Sequence, residues 1–307
     1  MQRWGFALVS LALSIFTSSV SERSTLDVKD QKSELLRTDG LALRSSRSSP
    51  LDLELSGSLT GVPSGEHRFV TREDLLALPL VTYTVSDDAN FTKPTQITGV
   101  LLGELTERLS AKPQTDMVIA LCRDSYQANY SRAYMARHNP VLVLLIDGKA
   151  PSDWPKDSEG HHAYMGPYMI SHSQFTPSFE VLLNPEEAQI PWGVVRLEFR
   201  DEQRAFSMIA PSGPRADSPE VQAGYRIAKQ HCIRCHNRGP EGGQKAGRSW
   251  EVLSTWAVAS PQYFAAYVRN PQSKNPRARM PGNPNYDDAT VEALILYFQT
   301  FSAREKP

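Results

Sequence analysis

Apolar residues change their spacing along this chain near residue 210. Before that point they come in short runs and alternations broken by polar turns. After it they recur at helical intervals. In the first part, Phe69 to Leu78 predicts a short helix capped by Thr71, with Asp74 three residues on. Leu80 to Val85 alternates as a strand does, and Val194 to Phe199 alternates again. Gly99 to Leu109 is amphipathic and predicts a helix. Met117 to Cys122 and Val141 to Ile146 are short apolar runs, the second closed by the turn pair Asp147-Gly148. Strands with few intervening helices predict an α+β domain over residues 51–207.

Residues 208–218 read as a linker, since Ala210-Pro211-Ser212-Gly213-Pro214 and Ser218-Pro219 supply turn and breaker residues. Residues 219–307 read as all-α. A helix is predicted over Val221 to His231. Another starts at Ser260-Pro261, a cap followed by a first-position proline, and runs to about Arg269. A last one, capped by Asp287 or Asp288, runs to about Phe301. At the other end, Arg3 precedes an apolar stretch from Trp4 to Phe16 and a small-residue site at Ser19-Val20-Ser21, so residues 1–21 read as a secretory signal peptide. The alternative is an uncleaved anchor, the one way this chain would be held at a membrane. Residues 22–50 are rich in Ser, Arg, Lys and Asp and read as a disordered tail.

With 307 residues the chain is long enough for two domains, and its net charge is −1. The charge is uneven: from Ser218 onward there are twelve Lys or Arg against seven Asp or Glu, an excess of five positive charges, which leaves an excess of six negative ones elsewhere. A basic module of this kind can dock on the acidic one or on an acidic redox partner. No internal repeat is present, and no basic-aromatic stripe points to nucleic acid.

Cys232-Ile233-Arg234-Cys235-His236 changes the picture most. It reads C-x-x-C-H, the attachment signal of a c-type haem: two thiols for the vinyl groups and a histidine for the iron. A disulfide, a thioredoxin-like pair or half a zinc site would also use C-x-x-C. No other cysteine lies nearby to complete a zinc site, and the motif closes a helix-like run instead of following a strand. Met280 is the only methionine C-terminal to the motif, and Pro281-Gly282 place it on a loop, where a thioether can serve as sixth ligand. An export signal suits a haem attached outside the cytoplasm. Cys122 reads as a buried strand thiol. His161, His162 and His172 flank Gly166-Pro167 and read as surface loop histidines, with metal binding as the alternative.

Residues 219–302 resemble a class I cytochrome c domain over its full length. The resemblance rests on Gly224-Tyr225 and on Leu294, Tyr297 and Phe298, the partners across two crossing helices. It rests also on Tyr267-Val268-Arg269-Asn270-Pro271 and on Arg279-Met280-Pro281. It implies thioether bonds at Cys232 and Cys235, His236 as proximal ligand and Met280 as distal ligand. The family usually carries a Gly-Pro whose proline carbonyl accepts the proximal imidazole N–H. The expected place here reads Gly247-Arg248-Ser249, and Gly239-Pro240 is the nearer substitute.

Residues 51–198 resemble, more weakly, the sulfite-oxidase-type molybdopterin-binding fold. Leu75-Leu76-Ala77-Leu78-Pro79, Gly99-Val100-Leu101-Leu102, Asp124-Ser125-Tyr126, Ile146-Asp147-Gly148 and Gly166-Pro167-Tyr168 carry the resemblance. The cysteine that binds molybdenum in that family has no counterpart between Leu80 and Thr98; Cys122 falls after the helix, where the alternative to a buried thiol is a displaced molybdenum ligand, and molybdopterin is not expected. The combined expectation is an exported, periplasmic bacterial cytochrome with one covalent haem c. It would carry single electrons to or from a redox partner protein, a dehydrogenase or terminal acceptor, with the front domain as docking module. The alternatives are a haem–molybdenum oxidoreductase acting on a small oxyanion such as sulfite, and a haem-based sensor.

Overall fold

The computed structural model describes residues 36–38, 41–154, 165–173 and 186–301. The signal segment falls outside them. Its strands are β1 (Leu36–Thr38), β2 (Leu41–Leu43), β3 (Leu53–Gly57), β4 (Arg68–Val70), β5 (Val81–Val85), β6 (Thr95–Leu101), β7 (Met117–Cys122), β8 (Gln127–Ser131), β9 (Val141–Ile146), β10 (Tyr168–Ser171) and β11 (Trp192–Arg200). The helices are α1 (Arg72–Leu76), α2 (Leu102–Arg108), α3 (Arg132–His138), α4 (Glu202–Phe206), α5 (Pro219–Ile227), α6 (Trp250–Ala259), α7 (Pro261–Arg269), α8 (Pro271–Lys274) and α9 (Asp288–Gln299). The first part is sheet-rich α+β and the second is helical.

The large sheet runs β4-β3-β11-β10-β9-β6-β5, with β7 and β8 branching from β11. Strand β11 organises it. Its start pairs with β10, and its Arg196–Phe199 stretch lies between β3, parallel, and β7, antiparallel. Continuous apolar runs report strands covered on both faces. In β9, Leu142 and Leu144 enter one core while Val141, Val143 and Ile146 enter another. In β7, Val118, Ala120 and Cys122 face the front-domain core, while Met117 and Ile119 pack among the C-terminal helices. The helical part is therefore seated on one face of β7, and the described residues of both parts belong to one compact unit.

Local signals in the sequence explain many boundaries. Thr71 Oγ1 accepts the Asp74 N–H and caps α1, but the helix starts at Arg72 because Arg68–Val70 pairs with β3. Asp147 and Gly148 take φ of 49° and 71°, the two left-handed positions of a tight hairpin turn. Gly99 to Leu101 extend β6, so α2 begins only at Leu102. Ser218 caps α5 ahead of Pro219, and Asp287 accepts the Thr290 N–H at 2.7 Å to cap α9. Ser260 contributes no side-chain cap; Pro261 alone marks the start of α7.

Two expected boundaries need correction. The tail read over residues 22–50 is ordered at its end: Leu41 and Leu43 are buried in the front core, and Arg44 pairs with Asp74 at 2.6 Å. The linker read over 208–218 is tied down, because Ile209 is buried in the C-terminal core and its carbonyl accepts the Tyr297 hydroxyl at 2.6 Å. Arg238 Nη1 also donates to the Met208 carbonyl.

Candidate functional site

The haem-type motif grows out of α5. That helix widens into a π-type turn over Ala228–Cys232, and the next turn stacks Cys235 and His236 over Cys232, whose carbonyl accepts both their N–H groups at 3.2 and 2.9 Å. Ile233 is buried in the C-terminal core, while Cys232 and Cys235 are half-buried free thiols. Burial pushes the Cys232 thiol up to about 12 and raises Cys235 as well, so both are held neutral. A zinc site needs further ligands beside these two thiols, and no group of three His, Cys, Asp or Glu able to hold a metal ion occurs among the described residues.

Residues 246–250 form a strap across this turn. The Ala246 N–H donates to the Cys235 carbonyl at 2.9 Å and the Trp250 N–H to the Asn237 carbonyl at 2.8 Å. Between them the Nδ1–H of buried His236 donates to the Arg248 carbonyl at 2.7 Å. That bond fixes the tautomer and leaves Nε2 as the unprotonated nitrogen, with no hydrogen bond among the described residues. Burial lowers the His236 pKa, and the bond to Arg248 opposes the shift. The bond expected from a proline carbonyl is made here by Arg248, while Gly239-Pro240 form the turn inside the Arg238–Glu241 bridge.

Met280 is half-exposed on the loop after α8 and belongs to no hydrophobic cluster, so it is not a core methionine. Its carbonyl accepts from Gln272 Nε2 at 3.1 Å, and Asn283 ties the loop to the Val268 carbonyl. The loop ends at Tyr286, which packs edge-on against His231, the residue before Cys232. Two free thiols and an imidazole with an open Nε2 stand together on one turn, which fits a haem c, while Met280 lies on its own loop outside the core.

The front domain holds the other side of the motif, which the sequence did not disclose. The Gln127 N–H donates to the Arg234 carbonyl and the Gln244 N–H to the Ser125 carbonyl, both at 2.9 Å. Lys245 pairs with Asp124 at 2.7 Å, and His231 faces Glu187 at 3.4 Å. The Arg234 guanidinium lies beside Tyr126 and Glu187 with Nε and Nη2 shut from solvent. Backbone amides provide two of these links, and they have no sequence signature.

Cys122 is buried in β7, as a strand thiol, and burial raises its pKa further. His161 and His162 lie outside the described residues. His172 is not on the surface: it is 3 % exposed, with Nε2 at 2.9 Å from the Tyr134 hydroxyl. Burial pushes its pKa down from 6.5 to about 4. Below pH 6.5 the unfolded chain binds a proton that the folded one refuses, so stability is full above that pH and falls as the pH drops toward 4. The loss is about 3 kcal/mol over that window. Urea midpoints from pH 7 to 4.5 should fall less steeply in His172→Gln; equal slopes would show that another group governs the acid limb.

Residues 219–298 match the family model described as cytochrome C oxidase, cbb3-type, subunit III. The C-terminal part is a cytochrome c domain. Haem c is its implied cofactor and electron transfer its implied task. A similar protein is cytochrome c oxidase subunit 2 of Alkalihalophilus pseudofirmus, 27 % identical over 132 residues, which cover 40 % of this chain and 38 % of that one. The chain therefore spans well under half of that relative's length. Among solved structures, the sulfane dehydrogenase SoxCD from Paracoccus pantotrophus is similar over 56 % of this chain and 45 % of that one, at 15 % identity and a TM-score of 0.32.

Proposed function

We propose that this protein is an exported, periplasmic cytochrome of bacterial type that carries single electrons through one covalent haem c. In this reading Cys232 and Cys235 hold the haem, His236 is the proximal ligand and Met280 the distal one. The observation that carries it is the His236 ring: Nδ1 is committed to the Arg248 carbonyl, and Nε2 is left open directly after two free thiols. When bound, the haem supplies a one-electron ferric/ferrous couple, whose potential a thioether ligand raises. The chain's own residues do the rest. Arg248 orients the imidazole, the Met280 loop supplies a soft donor from a pinned segment, and the aromatic core behind α5 and α9 keeps both supports rigid.

The front domain serves as the docking or scaffolding module for a redox partner, a dehydrogenase or terminal acceptor. Its β7–β8 end is occupied by the haem motif, so a partner meets its other surfaces or the haem domain. The sulfite-oxidase-type resemblance supports a domain that has lost its cofactor, since no cysteine stands where the family binds molybdenum.

The test is spectroscopic and analytical. Purified protein should contain about one iron and no molybdenum per chain, the second separating this reading from a haem–molybdenum oxidoreductase. Met280→Ala should lose the low-spin spectrum, lower the midpoint potential and bind carbon monoxide readily in the ferrous state. An unchanged spectrum would remove Met280 from the iron.

A further inference from the structure

Class I cytochromes fix the carbonyl under the proximal histidine with a proline, whose ring locks φ. This chain has Arg248 there, preceded by Gly247, at which an added Cβ would meet nothing within 4 Å. A glycine-arginine pair leaves the backbone free to turn, yet the carbonyl that accepts His236 Nδ1–H must stay in place for the imidazole to keep its orientation.

The side chain of Arg248 supplies what the backbone lacks. Its guanidinium lies 5.0 Å from the Trp256 ring centroid on α6 and 5.3 Å from the Tyr267 ring centroid on α7. Those two rings meet each other at 5.4 Å and form one aromatic surface across both helices. Arg248 is half-buried, and no ion pair joins it to a carboxylate among the described residues. A cation in this setting is held by the ring faces, and a planar guanidinium stacks where an ammonium only points. The flanking bonds from Ala246 and Trp250 hold the ends of the strap, and the clamp holds its middle.

We propose that Arg248 is a positioning residue for the proximal histidine. Its cation–π clamp on Trp256 and Tyr267 takes the place of the proline ring and keeps the Arg248 carbonyl on His236 Nδ1. The inference rests on His236 being the proximal ligand. It is distinct from the hydrogen bond itself, which any residue's carbonyl can accept; the claim concerns why this carbonyl stays.

The experiment uses the full-length ferrous holoprotein and follows the His236 Nδ1–H by proton NMR. Arg248→Met keeps the stem and removes the cation, Arg248→Lys keeps a cation, and Arg248→Pro restores a backbone lock. The expected result is exchange at least about tenfold faster in Arg248→Met, intermediate in Arg248→Lys, whose ammonium does not stack, and close to the unsubstituted protein in Arg248→Pro. If Arg248→Met exchanges no faster than the unsubstituted protein, the clamp contributes nothing and the proposal is overturned. Failure of the ligand reading looks different. The His236 ring would then lack a haem ring-current shift in the unsubstituted protein, whatever stands at position 248.

Discussion

Serine at both Cys232 and Cys235 is expected to abolish covalently held haem: on a denaturing gel the chain should no longer stain for haem, while each single substitution should leave a weaker band. The reasoning starts from the turn that carries the thiols. Cys235 lies three residues after Cys232, so both side chains project from one face of the turn. Each is free, and burial holds each as a neutral thiol. Serine copies the size and the hydrogen bonding but forms no thioether, so the covalent anchor goes while the strap over His236 stays. Cys122 does not stand in, because its side chain is packed in the front-domain core with Val118 and Ala120. Covalent haem persisting in the double variant would show that the attachment lies elsewhere and would remove the reading of the motif.

How much of this was legible in the sequence depends on what kind of group does the work. The thiols, the imidazole and the thioether announce themselves by type, and so do Ser218, Asp287 and the Asp147-Gly148 turn. Gly224-Tyr225 was legible too, since α5 and α9 do cross there, with Tyr225 stacked on Tyr297 at 5.7 Å. Helix α6 was not. Trp250, Val252, Leu253, Trp256, Ala257 and Val258 leave it apolar nearly all round, so no helical period stands out. Leu41 and Leu43 were hidden by polar neighbours, and their burial joins the Arg44–Phe69 backbone bonds in holding this segment to the sheet. The Arg248 carbonyl could not be read at all, because every residue offers one. What the family's proline signals is backbone restraint, and a different side chain restrains this backbone.

The same distinction governs the contact between the two parts. A charge count suggested a basic module docking on an acidic one, and Lys229–Glu202 and Lys245–Asp124 agree with that sense. Arg200–Glu241 runs the other way, at 2.7 Å. Half-exposed pairs of this kind contribute little each. The shared core under β7 and the two amide links from Gln127 and Gln244 are what fix the motif to the front domain. The front domain is therefore part of the haem motif's surroundings as well as a candidate surface for partners.

Valine at Gly224 is expected to cost about 3 kcal/mol of stability, read as a lower urea midpoint, and to weaken haem retention with it. A Cβ at this position would overlap the Ala293 carbonyl and stand 2.6 Å from Tyr297 Cβ. The obstacle is the backbone of α9, which cannot rotate away as a flexible side chain would. The helices must separate instead, and everything behind them moves: Tyr297 is fully buried, edge-on to Phe298 at 5.0 Å, and Phe298 lies 5.1 Å from Trp250. Trp250 ends the strap over His236, and α5 leads through its π-type turn to Cys232, so a packing fault at the crossing is passed to both halves of the site. Gly103, early in α2, gives the contrast, because a Cβ there meets nothing within 4 Å. Alanine at Gly103 should raise stability by up to about 1 kcal/mol through helix propensity alone. If Gly224→Val and Gly103→Ala shift the midpoint alike, close approach of α5 to α9 is not what glycine provides at position 224.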